Sequence, residues 1–167
     1  MRSQTKLGII LGAVLSVFAG SSVHAAQPPH DACSLLTQTQ ISSILGIPVN
    51  AGVHPAGDVP NSQLNCQWSP SAPDASNSKR VTIDIFEAVE NRSPADRFEN
   101  AKKEVRGVTK TPVSGVGDEA FYSESRVNTI LYVKKGSFVF QIIVAGFPTE
   151  QNKAMEKTLA QAVVAKQ

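Results

Sequence analysis

The residues best suited to chemistry are His30-Asp31 and, some twenty positions on, His54 and Asp58. Imidazole nitrogens and carboxylate oxygens form the donor set of a hydrolytic metal centre, whose ion lowers the pKa of a bound water. A loop could bring the four together. Their separations lack the short, fixed spacing of a zinc motif, so exposed loop histidines are the ordinary reading and a metal-dependent hydrolase the alternative. A serine nucleophile finds no Gly-x-Ser-x-Gly to hold it. Ser114 to Glu119 contains Gly115-x-Gly117, yet the segment follows Pro112 and precedes a strand. A phosphate cradle needs the N-terminus of a helix there. The segment therefore reads as a tight turn with positive-φ glycines and solvated acids. No cofactor is expected.

The cysteines say more. Cys33 and Cys66 are the only two, and a Cys-x-x-Cys redox spacing is absent. Arg2 and Lys6 precede an apolar run from Leu7 to Gly20, and Val23-His24-Ala25 offers small residues at a cleavage site. This is the pattern of a secretory signal peptide over 1–25, leaving one exported domain over 26–167. In an oxidising compartment two cysteines leave one intramolecular pairing, Cys33 with Cys66. The first cysteine stands well past the cleavage point, so no lipid anchor is expected. No later run reaches the roughly 20 apolar residues of a membrane span.

Removing Arg2 and Lys6 with the leader reduces sixteen basic residues to fourteen, which equals the number of acids. Zero formal charge argues against nucleic acid, which needs a basic face to displace counterions. Lys102-Lys103 and Lys134-Lys135 read as a solvated helix face and a hairpin tip.

The elements that would position these residues follow from periodicity. Thr37-x-x-Gln40 fits a capping box with Leu36 and Ile41 as staple, and Ile41, Ile44 and Leu45 form a stripe ended by Gly46. Residues 50–63 read as a surface loop. Leu64, Cys66 and Trp68 alternate as on a half-buried strand, where Trp68 packs against the disulfide. A strand over 79–89 follows, then a helix capped by Ser93-Pro94, with Phe98, Ala101 and Val105 in line and Gly107 as its stop. Strands at 120–123, 129–133 and 138–145 form a meander, and Phe147-Pro148-Thr149 opens a last helix with Met155, Leu159, Ala162 and Val163 inward. The expected fold is α+β, an antiparallel sheet of about five strands packed by a short N-terminal helix, a middle helix and a C-terminal helix.

One strand breaks the one-face rule. Phe138, Phe140, Ile142 and Val144 occupy one side while Val139, Ile143 and Ala145 occupy the other. Either helices cover both sides, or the 50–63 loop covers one of them, or Phe86, Ile130, Tyr132 and Ile143 line a groove or a dimer surface. These four are the candidate ligand-binding residues.

Asp31-Ala-Cys33-Ser-Leu-Leu-Thr37, a short helix ending at Gly46, Cys66-Gln-Trp68 and Val116-Gly117-Asp118-Glu119-Ala120 together resemble a family of exported bacterial domains of unknown function, several of them lipoproteins. The chain departs from those lipoproteins in lacking a lipobox cysteine, and lacks a further cysteine pair that some relatives carry. The resemblance implies bacterial export and a shared disulfide, and transfers no catalytic residue. The element order is also similar to the sandwich of photosystem-associated and nuclear-transport accessory proteins, an analogy of fold only. The sequence thus favours a non-enzymatic binding or accessory domain of the cell envelope, periplasmic or secreted, with a protein or small apolar ligand as its partner. The alternatives are the hydrolase and an envelope structural or inhibitor protein.

Overall fold

The computed structural model describes residues 31–56, 61–72 and 79–167. The leader, His30 and Asp58 lie outside them. Six strands form one antiparallel sheet: β1 (Asn65–Trp68), β2 (Arg80–Ile85), β3 (Thr109–Pro112), β4 (Glu119–Glu124), β5 (Thr129–Lys135) and β6 (Phe138–Ala145), in the spatial order β1-β2-β6-β5-β4-β3. Three α-helices pack on it: α1 (Gln38–Leu45), α2 (Pro94–Lys102) and α3 (Thr149–Val164). The expected α+β class holds, with one strand more than expected.

Local chemistry explains most boundaries. Thr37 and Gln40 exchange both bonds of a capping box, and Gly46 closes α1 at φ 68. Ser93 and Asp96 do the same for α2, with Pro94 in its first turn. Gly115 and Gly117 both take positive φ. A Cβ on Gly117 would lie 2.5 Å from the Lys134 carbonyl, so the turn requires glycine twice over. Its acids are solvated, as expected, and also paired. Asp118 bonds Lys135 and the Gly136 amide, both at 2.7 Å, while Glu119 takes Lys102 at 2.6 Å and Lys134 at 2.8 Å. These bonds hold both carboxyls below the usual carboxylate range.

The main core lies between one sheet face and helices α1 and α3. Trp68, Val81, Ile83, Leu131, Phe140, Ile142 and Leu159 are fully buried there. Cys33 and Cys66 are joined, and a Cβ on Gly52 would fall 2.6 Å from Cys66 Sγ and 2.7 Å from the Trp68 ring. Gly52 is thus the close-approach residue that lets its loop close over the bridge. The described start of that loop is tied to the outer edge of β1, where Val49 bridges Pro70 and Val53 bridges Gln67.

Two expectations fail. The middle helix stops at Lys102, where Lys103 turns extended at ψ 145. Val105 therefore leaves the apolar stripe and stands 57 % exposed, bridged to Val108 in a turn. The segment after it, for which the sequence suggested no element, is strand β3. Its polar Thr-Lys-Thr-Pro carries no hydrophobic alternation, and Pro112 is tolerated because β3 is an edge strand. The strand expected over 79–89 ends at Ile85, although Phe86 N still bonds the Val139 carbonyl at 2.9 Å.

Candidate functional site

Side chains alternate across the sheet, so Val139, Gln141, Ile143 and Ala145 of β6 point away from the main core. The register aligns this second face in rows. One row runs Lys110, Ser123 and Ile130 across β3, β4 and β5. The pairing of Leu131 with Ile142 sets Ile143 beside Ile130, and Ile143 pairs Thr82, which pairs Gln67. The next row holds Phe121, Tyr132, Gln141, Asp84 and Asn65.

Helix α2 covers only part of this face. Phe98 inserts against Phe121 and Val139 to make a second, smaller core. Phe98 meets Phe121 edge-on at 5.2 Å, and Phe121 stacks on Tyr132 at 5.0 Å. Phe86 meets Tyr132 edge-on at 6.1 Å, and the Arg97 guanidinium lies 4.2 Å above the Phe86 ring. Of the four candidate ligand-binding residues, the structure joins Phe86 and Tyr132 in this aromatic cluster. It leaves Ile130 and Ile143 on the same face in the uncovered row, all four half-buried. Among the described residues, the double-sided pattern of β6 thus has two causes, with Val139 packed under Phe98 of α2 and Ile143 outside that second core.

Sequence reasoning missed the polar residues of this face. A cleft of about 430 Å³ opens between α2 and β1, lined by Phe86, Arg97, Asp84, Gln141 and Asn65 among others. Asp84 accepts from Gln141 at 2.7 Å and from the Asn65 amide. Burial, followed by the charge of Asp84, raises the Tyr132 phenol above the ordinary tyrosine range. Lys110, on β3, donates to Ser123 Oγ at 2.7 Å. A Lys in a run without apolar alternation gives no signal that it will lie over aromatic rings.

The metal alternative is brought together in part. His54 Nδ1 lies 2.8 Å from the Asn65 carbonyl; because a carbonyl only accepts, Nδ1 donates and Nε2 is left facing Asp31 Oδ1 at 3.5 Å. Asp31, Cys33 and His54 offer ligand atoms within 4.8 Å of one another. Cys33 is spent in the disulfide, however, and metals take the thiolate. Two ordinary ligands remain, both exposed. His30 and Asp58, which would complete the set, lie outside the described residues.

No family model, curated protein or solved structure matches the chain. The disulfide is compatible with an oxidising compartment. Among the described residues, no helix is long and apolar enough to cross a membrane.

Proposed function

We propose that this chain is an exported, non-enzymatic binding or accessory domain of the bacterial cell envelope, periplasmic or secreted after cleavage near Ala25, that engages a protein or a small apolar ligand through its second sheet face. The observation that carries this reading is the incomplete cover of that face by the described residues. Helix α2 closes one end over Phe98, Phe121 and Val139, while Ile130 and Ile143 stand half-buried, with no helix of the described residues packed on them in the second core. Apolar side chains aligned beside an open cleft with a few polar groups are the usual make-up of a binding site. The leader pattern, the family resemblance and the disulfide support export.

An acid at Phe86 or Tyr132 would disturb packed aromatics and test folding. Ile143→Asp is the cleaner probe. Native mass spectrometry and affinity capture from envelope extract should show a retained mass or partner with the wild type that Ile143→Asp loses at unchanged melting temperature. Equal retention by both proteins would remove the sheet face from consideration.

A metal-dependent hydrolase draws on one observation, the Asp31–His54 approach. Stoichiometric metal in protein purified without chelator, lost in His54→Ala, would favour it. Metal-free protein with neither loss nor gain in that variant would end it.

A further inference from the structure

Lys110 stands on the second face, and among the described residues its charge is left without an acid. Lys102, Lys134, Lys135 and Lys153 each hold a carboxylate at 2.6 to 2.8 Å. Among the described residues no carboxylate lies within ion-pair distance of Lys110. Its Nζ sits 5.6 Å from the Phe121 ring centroid and 5.9 Å from that of Tyr132, and its hydrogen bond goes to Ser123 Oγ. Cation–π contact offsets part of the lost hydration, but burial still pushes the ammonium below the usual lysine range. Of the other charges on the face, Glu119 is engaged by Lys102 and Lys134, Asp84 by Asn65 and Gln141, and Arg97 lies over Phe86 at the far end, while Arg80 stands exposed on β2, two residues from the Thr82–Ile143 pair.

The cation heads an apolar line. Lys110, Ser123, Ile130 and Ile143 are consecutive positions in one row. Three strand spacings separate β3 from β6, so the row is roughly 14 Å long. A half-buried charge at one end, followed by isoleucines in line, matches a molecule with one anionic end and one apolar chain. A neutral apolar ligand would bury Lys110 further without a counter-charge, which costs free energy. An anionic head would add charge-assisted hydrogen bonds from Nζ, with the Ser123 hydroxyl, 2.7 Å from Nζ, beside it.

We propose, resting on the binding role assigned to this face, that the uncovered row takes a single-chain anionic amphiphile, a long-chain carboxylate, with its head on Lys110 Nζ and its chain along Ile130 and Ile143. The mature, disulfide-intact protein is titrated by calorimetry with dodecanoate and with 1-dodecanol, each kept monomeric. Lys110→Met keeps the apolar stem and removes the charge. Dodecanoate should bind the wild type and weaken about tenfold or more in Lys110→Met. Dodecanol should bind both proteins alike, and Ile143→Asp should lose both ligands while its melting temperature holds. Equal dodecanoate affinity in wild type and Lys110→Met overturns the head-group assignment, and if both ligands still need Ile143 the face remains a binding surface. Absence of binding by either ligand overturns the amphiphile altogether, while the envelope capture experiment decides separately whether the face has a partner.

Discussion

Glu156 sits on α3 with 0 % of its surface exposed. Its Oε1 accepts from Thr129 Oγ1 at 2.9 Å and from the Val144 amide at 3.0 Å. Its Oε2 has no partner, and neither has Asn152 Oδ1, one helical turn earlier on the same helix. A buried carboxylate half-satisfied in this way is costly. Burial therefore raises the group from 4.5 to about 7, against the opposing pull of Val144 N–H, Thr129 and Lys153. Protonation relieves the problem, since the acid hydroxyl is a donor and the nearby Asn152 oxygen an acceptor in need of one.

The consequence is a pH-dependent stability of defined sign. Below 4.5 the folded and unfolded chains both hold the proton. Between 4.5 and about 7 the unfolded chain releases it while the native state keeps it, so this group's contribution falls as pH rises. Above that interval the full loss persists, amounting to about 3 kcal/mol. The carboxyls of Asp96, Asp118 and Glu119 are held low by their bonds and bend the profile the other way, losing stability in acid. A difference measurement against Glu156→Gln isolates the buried group. Urea denaturation at pH 4, 5, 6, 7 and 8 should show the two proteins close together in acid. Toward pH 8 they should diverge, with the glutamine variant the more stable by about 2–3 kcal/mol. A constant offset across the range, or a wild type that gains on the variant as pH rises, would refute the reasoning.

Cys33→Ser and Cys66→Ser should each cost about 3.5 kcal/mol through the 33-residue separation they leave open, and the double variant should cost no more than either single one; unequal losses in urea denaturation would count against a shared origin. Gly52→Ala drives a methyl into the disulfide and the Trp68 ring and should destabilise by about 1–3 kcal/mol, with a shift in the emission of the single tryptophan as its spectroscopic trace. Both tyrosines are raised by burial, Tyr122 to about 12 and Tyr132 in the same direction. Alkaline absorbance titration of the folded protein should therefore show both rings ionising later than a free tyrosine, with Tyr122 the later where it reaches about 12, and a ring that ionises as early as free tyrosine without unfolding would contradict the placement.

What was legible in the sequence was what local chemistry decides. Thr37 with Gln40 and Ser93 with Pro94 announce helix starts because the capping groups are neighbours in the chain. The apolar stripe Met155, Leu159 and Val163 is buried as its spacing indicates. The same periodicity puts Asn152 and Glu156 on the buried side of α3, and only their polar side chains kept them out of a stripe read from apolar residues. Phe86, Ile130, Tyr132 and Ile143 were legible as a face because strand alternation is strict. How much of that face a helix covers was not, since cover depends on where α2 docks and ends.

The end of α2 bears directly on the site. Contacts of Arg97 with Phe86 and of Lys102 with Glu119 show that α2 crosses the strands from the β2 end toward β4. Had it run on to Gly107, as Phe98, Ala101 and Val105 suggest by spacing, its extra turn would have passed beyond β4. Too few residues would then remain to reverse the chain before Thr109. Stopping at Lys102 frees residues 103–108 for the reversal, in which Gly107 takes φ 78 and Val105 bridges Val108. The chain returns as β3 against β4, and Lys110 arrives opposite Ser123 at the head of the open row. The ion pairs of Lys102 with Glu119 and Glu99 fasten the helix at that point. The exposed Val105 is thus the local cost of a turn that places a cation at the head of the row that holds Ile130 and Ile143.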